Sequence, residues 1–207
     1  MKQTFYNSYQ MLRRNNKANF SYKDEELILE FQNGNEHAYL ELVDRYKDKL
    51  INFIFHYVGD RDLAEDIVQD TMIKLYEKKH YYKEIARFST WIYTIARNQA
   101  NTELRKRKSR KISFLSQMTK NGKDFDLDSR SFDLIQELQD DYVGKRIQTA
   151  IKSLPDHLRM VITLRDIQNL SYEDISSIVD VPLGTIKSRI NRARIQLQAE
   201  LQDLKNF

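Results

Sequence analysis

The chain has 207 residues, a net charge of +4 and no cysteine. This length fits one large or two small domains, and the lack of cysteine excludes disulfides and thiolate metal sites. Glycine and proline are scarce and apolar residues recur with a helical period, which predicts an all-α fold. No stretch approaches the ~20 apolar residues of a membrane-spanning helix, and the N-terminus lacks a signal-peptide core. We therefore expect a cytoplasmic protein without membrane insertion.

The first half of the chain is predicted to form one small helical domain. Residues 1–20 have no clear pattern and are interpreted as an N-terminal extension, and the domain covers residues 21–112. Its third helix is predicted to start at Asp62, with Glu65 completing a capping pair. Apolar spacing predicts four helices, at about 21–34, 36–57, 62–79 and 89–111.

An acidic patch lies on the third predicted helix, formed by Asp62, Glu65, Asp66 and Asp70. Carboxylates so placed could bind a metal, but no histidine lies nearby at ligand spacing, so a solvated face or a docking surface is the better interpretation. The four histidines are scattered, and no nucleophile triad or glycine-rich phosphate loop is present. We predict no catalytic residue, no metal site and no cofactor, and therefore no enzyme.

Aromatic residues precede a dense basic cluster in the same half. Aromatic residues at helical spacing usually belong to a core, but Tyr81 and Tyr82 fall in a polar loop, where a core position explains them less easily. Single-stranded nucleic acid needs rings that stack on bases and cations that balance phosphates. The cluster at 105–111 could equally be a solvated helix end favoured by the helix dipole, so both interpretations stay open here.

The second half is predicted to form another helical domain, over residues 142–207. Residues 113–141 lose periodicity and turn acidic, which indicates an interdomain linker. Beyond the linker, the spacing predicts a helix to about Lys152, a break at Leu154 and Pro155, and a helix from about 156 to 167.

The last two predicted helices have the form of a helix-turn-helix that reads the major groove of DNA. Ser171 can cap the first of them, with Asp174 in the reciprocal position of a capping box. The second spans about 183–196, and a solvated basic helix is the alternative. Its polar face carries Lys187, Ser188, Asn191 and Arg192, flanked by Arg189 and Arg194.

Two stretches resemble regions of bacterial sigma factors. Residues 62–76 and 88–98 resemble region 2, and residues 154–194 resemble region 4. Two such regions with only a short linker between them are similar to the extracytoplasmic-function (ECF) subgroup of the sigma-70 family. The resemblance implies two small helical domains joined by a flexible linker.

The resemblance also implies a function: directing RNA polymerase core to promoters, with recognition of the −35 element and opening of the −10 element. Polymerase docking, on the β′ clamp helices, would involve Glu65, Asp66, Gln69 and Asp70; the polymerase β flap is a further expected contact. Opening of the −10 element would involve Tyr81, Tyr82, Lys83, Trp91, Arg97, Asn98, Arg105, Lys106 and Arg107. Contacts to the −35 element would come from Thr185, Lys187, Ser188, Arg189, Asn191 and Arg192.

Several points stay open at this level. Trp91 could be core or part of the wedge that melts the duplex, and the acidic linker could thread into polymerase channels or act as a simple tether. Family members are commonly held by an anti-sigma factor, which makes such a protein a candidate partner. The alternative function is a stand-alone regulator that binds duplex DNA without polymerase core, but such a regulator needs no second basic and aromatic domain.

Overall fold

The computed structural model describes residues 22–119 and 142–206. The predicted N-terminal extension and the acidic part of the predicted linker lie outside the described residues. Within these two ranges all regular structure is helical, which confirms the predicted all-α class.

The first described range forms four α-helices with a 3₁₀ turn before the last one. They are α1 (Asp24–Gln32), α2 (Glu36–Val58), α3 (Arg61–Lys78), the 3₁₀ turn Lys79–Tyr81 and α4 (Phe88–Thr119). Helix α4 runs through residues 113–119, which the sequence assigns to the start of the predicted linker. The basic run is rich in good helix formers, and the stop signal Asn121-Gly122 comes only after Thr119.

Local capping fixes the ends of these helices. Asn35 accepts hydrogen bonds from the amides at the start of α2, and Gly59 ends that helix in the left-handed conformation (φ 76°). The cap of α3 is Asp60, whose carboxylate accepts a 3.0 Å hydrogen bond from the Leu63 amide. The predicted start at Asp62 is therefore wrong by one residue, since α3 begins at Arg61. Its cap, Asp60, comes directly after Gly59, which ends α2.

The second described range forms a smaller helical unit. Its elements are α5 (Tyr142–Ser153), α6 (Asp156–Ile162), a π-helical turn (Thr163–Ile167), α7 (Tyr172–Val179), α8 (Leu183–Glu200) and a 3₁₀ turn (Gln202–Asn206). Ser171 caps α7 by accepting from the Asp174 amide, as predicted. Asp180 then takes a left-handed conformation (φ 57°) and Pro182 precedes α8, which produces the tight turn of a helix-turn-helix.

The two units pack directly against each other. Helix α4 lies on α7 and helix α2 on α6, and the buried apolar side chains of both units form one continuous cluster. Tyr93 of α4 donates a 2.7 Å hydrogen bond to Gln168, whose amide also contacts Asn52 of α2. The sequence contained no local signal for this closed arrangement, because it depends on contacts between residues far apart in the chain.

Candidate nucleic-acid interface

Helix α8 presents a polar face opposite a buried one. Ile186, Ile190 and Ala193 are buried against the helices beneath, which fixes the rotation of α8 about its axis. Four of the six residues predicted to read the −35 element, Lys187, Ser188, Asn191 and Arg192, are exposed on the other side. These side chains therefore lie on one free helical face, where they can reach the edges of bases.

The remaining cations of α8 are less free. Arg194 forms a two-pronged ion pair with Asp166 of the π-helical turn, with N–O distances of 2.6 and 3.1 Å. Arg189 is half-buried and faces the other unit of the protein. Thr185 is also half-buried, and its carbonyl accepts a hydrogen bond from Ser188. The positions flanking the exposed face are thus partly engaged by the protein itself.

The loop between α3 and α4 divides its aromatic residues between solvent and core. Tyr81 is 72% exposed, whereas Tyr82 is only 4% exposed and its hydroxyl donates to the Ala86 carbonyl at 2.9 Å. The interpretation of Tyr82 as a loop residue outside the core is therefore wrong. Sequence reasoning also missed Ile85, which is 90% exposed in the same loop beside the exposed Lys83.

Trp91 lies at the edge of the aromatic core. Its ring centroid is 5.5 Å from that of Tyr82 and 6.0 Å from that of Phe88, and part of the side chain stays exposed. Burial raises the pKa of Tyr82 to about 12, so this hydroxyl stays protonated and keeps its hydrogen bond at neutral pH. Tyr82 and Trp91 thus form a rigid base under the exposed loop.

The predicted strand-contacting residues of α4 differ in their freedom. Asn98 is exposed, whereas Arg97 is half-buried and its Nη1 donates a 2.8 Å hydrogen bond to the Ile178 carbonyl of α7. In the C-terminal half of α4, three basic residues are exposed: Arg105, Lys106 and Arg107. This basic segment is accessible in the closed arrangement, and the guanidinium of Arg97 is held at the contact between the two units.

Two ion pairs anchor the basic segment of α4 without neutralising it. Lys106 pairs with Glu103 at 3.2 Å, and Arg107 pairs with Asp60, the cap of α3, at 3.0 Å. The Leu63 amide, together with Arg107, holds the pKa of Asp60 below its ordinary value. Both pairs are solvent-exposed, so each contributes little to stability and can exchange its partner for a phosphate.

The acidic patch lies on the outer face of α3. Asp66 and Gln69 are exposed, while Ile67 and Val68 between them are buried in the core. Glu65 forms an exposed ion pair with Arg61, and Asp70 is half-buried. The structure thus places the four predicted docking residues along one helix.

Sequence reasoning missed the residues that join the two units. Asp174 accepts hydrogen bonds from Thr90 (2.7 Å) and Ser171 (2.6 Å), and Arg87 lies 3.6 Å away. Burial raises the pKa of this carboxyl, but the two hydroxyl donors and Arg87 outweigh that effect and hold the pKa below its ordinary value. Asp174 was predicted only as a capping residue, and a capping role would not indicate a partner 84 positions away.

Two further observations concern the class of site. Among residues 22–119 and 142–206, no three histidine, aspartate or glutamate side chains are grouped so that they could hold a metal ion. None of the described helices is long and apolar enough to cross a bilayer.

Comparisons with known proteins agree with the geometry. The family model of sigma-70 region 2 matches residues 42–110, and that of sigma-70 region 4 matches residues 144–197. The chain is 32% identical over 184 residues to the ECF RNA polymerase sigma-E factor of Haemophilus influenzae, covering 87% of this chain and 96% of that protein. The chain belongs to the ECF sigma factors of the sigma-70 family. It is a sigma factor that directs RNA polymerase to promoters, and the stand-alone regulator is not favoured.

Other relatives have similar coverage. The ECF RNA polymerase sigma factor SigW of Bacillus subtilis is 32% identical over 188 residues, covering 86% of this sigma factor and 96% of SigW. Among solved structures, the sigma factor RpoE of Bartonella quintana, crystallised with the anti-sigma factor NepR, matches with a TM-score of 0.60 and 28% identity. That match covers 78% of this chain and 95% of RpoE.

Proposed function

We propose that this sigma factor uses α8 to bind the −35 element and the α3–α4 loop with α4 to open the −10 element. The observation that supports this most is the free polar face of α8, since its opposite face is buried and fixes which side chains reach DNA. The units act by binding and by exchanging base stacking for protein contacts, without chemistry of their own.

At the −35 element, the exposed residues of α8 have the chemistry of base readout. Lys187 and Arg192 can donate to guanine O6 and N7, and Asn191 can bond adenine through its amide. Arg194, paired with Asp166, is better placed to support packing or to contact a phosphate than to read a base. Specificity is therefore expected to follow Lys187, Ser188, Asn191 and Arg192.

At the −10 element, we assign the strand contacts to the exposed loop. Tyr81 and Ile85 provide exposed apolar surface beside Lys83, a combination suited to an unstacked base and its phosphate. Tyr82, which was expected to contact the strand, instead supports the loop from within the core. Flipping a base costs a few kcal/mol, which such contacts can offset.

Polymerase docking is assigned to the acidic face of α3. The side chains of Asp66 and Gln69 are exposed, and the buried residues beside them hold the helix rigid. A rigid negative surface steers association with a basic partner surface and sets its register. We therefore expect this face to contact the β′ clamp helices of the polymerase.

The closed arrangement has to open before both promoter elements are bound. The two elements differ in position by about 25 base pairs, or roughly 85 Å of duplex at about 3.4 Å per base pair. In the closed arrangement α4 and α7 are in hydrogen-bonding contact, and Arg97 is occupied by Ile178. Promoter binding is thus expected to separate the units and release Arg97.

An anti-sigma factor is a further proposed partner. The structurally similar RpoE of Bartonella quintana was crystallised with its anti-sigma factor NepR. A protein that bound both units of this chain at once would hold them together. The units could then not reach the −35 and −10 elements at the same time. We propose regulation of this kind for this sigma factor.

Reconstituted transcription tests the proposed function. Purified core polymerase with this sigma factor should initiate from a subset of a promoter-fragment library, and sequencing the transcripts should reveal two conserved elements upstream. Replacing Lys187 by Ala should relax the upstream element only. Replacing Lys145, an exposed lysine on α5, by Ala is the control and should leave that element unchanged. Failure to join core, or initiation without any upstream consensus, would contradict the proposal.

A further inference from the structure

A cavity of about 240 Å³ lies where the two units meet. Helices α2 and α4 of the first unit and α6, α7 and α8 of the second all contribute to its wall. The polar and charged lining residues are Tyr57, Arg97, Asn101, Asp156, His157 and Arg189. The cavity exists only while the units are packed together, because neither unit supplies the whole wall.

The cavity has an excess of positive charge. Arg97 enters from the first unit and Arg189 from the second, and the one carboxylate of the lining, Asp156, is already paired with Arg159. Arg189 forms no ion pair with any side chain in the described ranges. Two guanidinium groups therefore line one partly enclosed space, and the one carboxylate of the lining already has a partner.

Hydrogen-bonding capacity also remains unused at the cavity. The Nη1 atom of Arg97 donates to Ile178, but its Nε is buried without a partner in the described part of the chain. Asn101 accepts the Tyr57 hydroxyl at its Oδ1, which leaves its amide nitrogen available as a donor. A buried donor without a partner costs free energy, so the Arg97 guanidinium is not fully satisfied in the closed arrangement.

We propose that this cavity binds a small phosphate-bearing anion that bridges Arg97 and Arg189. Guanidinium groups match phosphate oxygens in a two-pronged geometry, and a compact anion would offset the charge of both residues at once. The volume lies below the roughly 300–1,000 Å³ of pockets for drug-sized ligands, which favours a phosphate or diphosphate group over a larger molecule.

Such an anion would stabilise the closed arrangement. A ligand that binds only one of two conformations shifts the population toward it by mass action. The two arginines are among the residues expected to contact promoter DNA, so anion and promoter would compete. This last consequence rests on the proposed function, but anion binding itself does not.

Calorimetric titration of the full-length protein with pyrophosphate, and separately with inorganic phosphate, tests binding. We expect saturable binding of at least one of them, weakened about tenfold or more in Arg189→Gln through loss of a charged hydrogen bond. The matched control is Arg192→Gln, which removes the same charge from the exposed face of the same helix. Absence of saturable binding, or equal weakening in both variants, overturns the proposal.

A distance measurement tests the effect on closure. The chain contains no cysteine, so Lys47→Cys on α2 and Gln198→Cys on α8 provide two exposed labelling sites for energy transfer. The bound anion should raise transfer efficiency in the wild-type background but not with Arg189→Gln, at constant ionic strength set with chloride. Binding without any change in efficiency, or an equal change with chloride alone, rejects the bridging role. Both measurements omit polymerase, so their failure is distinguishable from failure of the proposed function.

Discussion

Thr90 and Asp174 connect the two halves of this sigma factor through a 2.7 Å hydrogen bond from the threonine Oγ1 to the carboxylate Oδ1. The same carboxylate is bonded by Ser171, the cap of α7, and lies 3.6 Å from Arg87. The carboxylate that bonds to the cap of α7 is therefore also the group that holds the helix-turn-helix against the first unit. The packing of the two units and the start of the helix-turn-helix therefore both depend on the Asp174 side chain.

The Thr90→Val variant is expected to loosen the closed arrangement. It keeps the shape of the side chain and removes the hydroxyl donor, at a cost of about 0.5–1.5 kcal/mol, with a further penalty from the unpaired carboxylate oxygen. Energy transfer between labels on α2 and α8 should fall. Thr94→Val is the matched control, because the Thr94 hydroxyl donates only to the Thr90 carbonyl in its own helix. An equal fall in both variants would show that helix damage, not the interdomain bond, is responsible.

Acid is expected to destabilise the folded chain through His56, which is buried in it. Burial first, and then Lys152 and Arg159 of the second unit, lower the pKa of His56 below its ordinary value of 6.5. The opened or unfolded chain binds this proton more readily, so stability is retained above about pH 6.5 and falls as the pH drops below it. Thermal unfolding from pH 7.5 to 5.5 measures the effect.

The variant His56→Gln provides the control for that titration. It cannot gain a proton, so its melting temperature should depend less on pH across the same window, even if its stability at pH 7.5 is lower. If the wild type and His56→Gln lose stability in parallel between pH 6.5 and 5.5, another group is responsible and the assignment is wrong.

The exposed face of α8 is expected to distinguish base readers from supporting cations. Arg192→Ala should weaken binding to the preferred upstream element by about 1–3 kcal/mol and relax specificity at one position. Arg194→Ala, which breaks the ion pair with Asp166, should weaken all sequences to a similar and smaller extent. Binding assays on single-base variants of the element measure both effects. Uniform loss with Arg192→Ala would make it a phosphate contact instead.

Charge reversal on α3 is expected to impair polymerase docking. Asp66→Lys replaces an exposed carboxylate on the proposed docking face and should weaken core binding measurably in a competition assay with labelled wild-type protein. Asp48→Lys, at another exposed carboxylate, on α2, is the matched control and should leave binding unchanged. Duplex DNA binding should survive both changes. Loss of both activities in Asp66→Lys would indicate misfolding.

Local features of the fold could be predicted from the sequence. The Ser171 cap, the break before Pro182 and the apolar spacing of α8 are each specified by residues a few positions apart, and all three are observed. Burial of Tyr82 could not be predicted in this way. It depends on packing against Phe88 and Trp91, and a tyrosine in a polar loop has the same local pattern whether it faces the core or solvent.

The closed arrangement was outside the reach of sequence patterns for a related reason. The contact from Arg97 to Ile178 joins residues 81 positions apart, and the contact from Asn52 to Gln168 joins residues 116 positions apart. Polar residues at such separations carry no periodic signal. The same limit explains why Arg97 and Arg189 were predicted as separate DNA contacts, although they line one cavity.

The most direct test of the account is permanganate reactivity of thymines in the −10 element of a promoter selected by this sigma factor. With core polymerase and the sigma factor together, the non-template thymines should become reactive, while core alone or the sigma factor alone should leave them protected. That result is predicted because strand opening requires both docking through α3 and capture of the unpaired strand. If these thymines stay unreactive in the complete mixture although the −35 element is bound, the result contradicts the account. The protein would then bind duplex DNA without opening it.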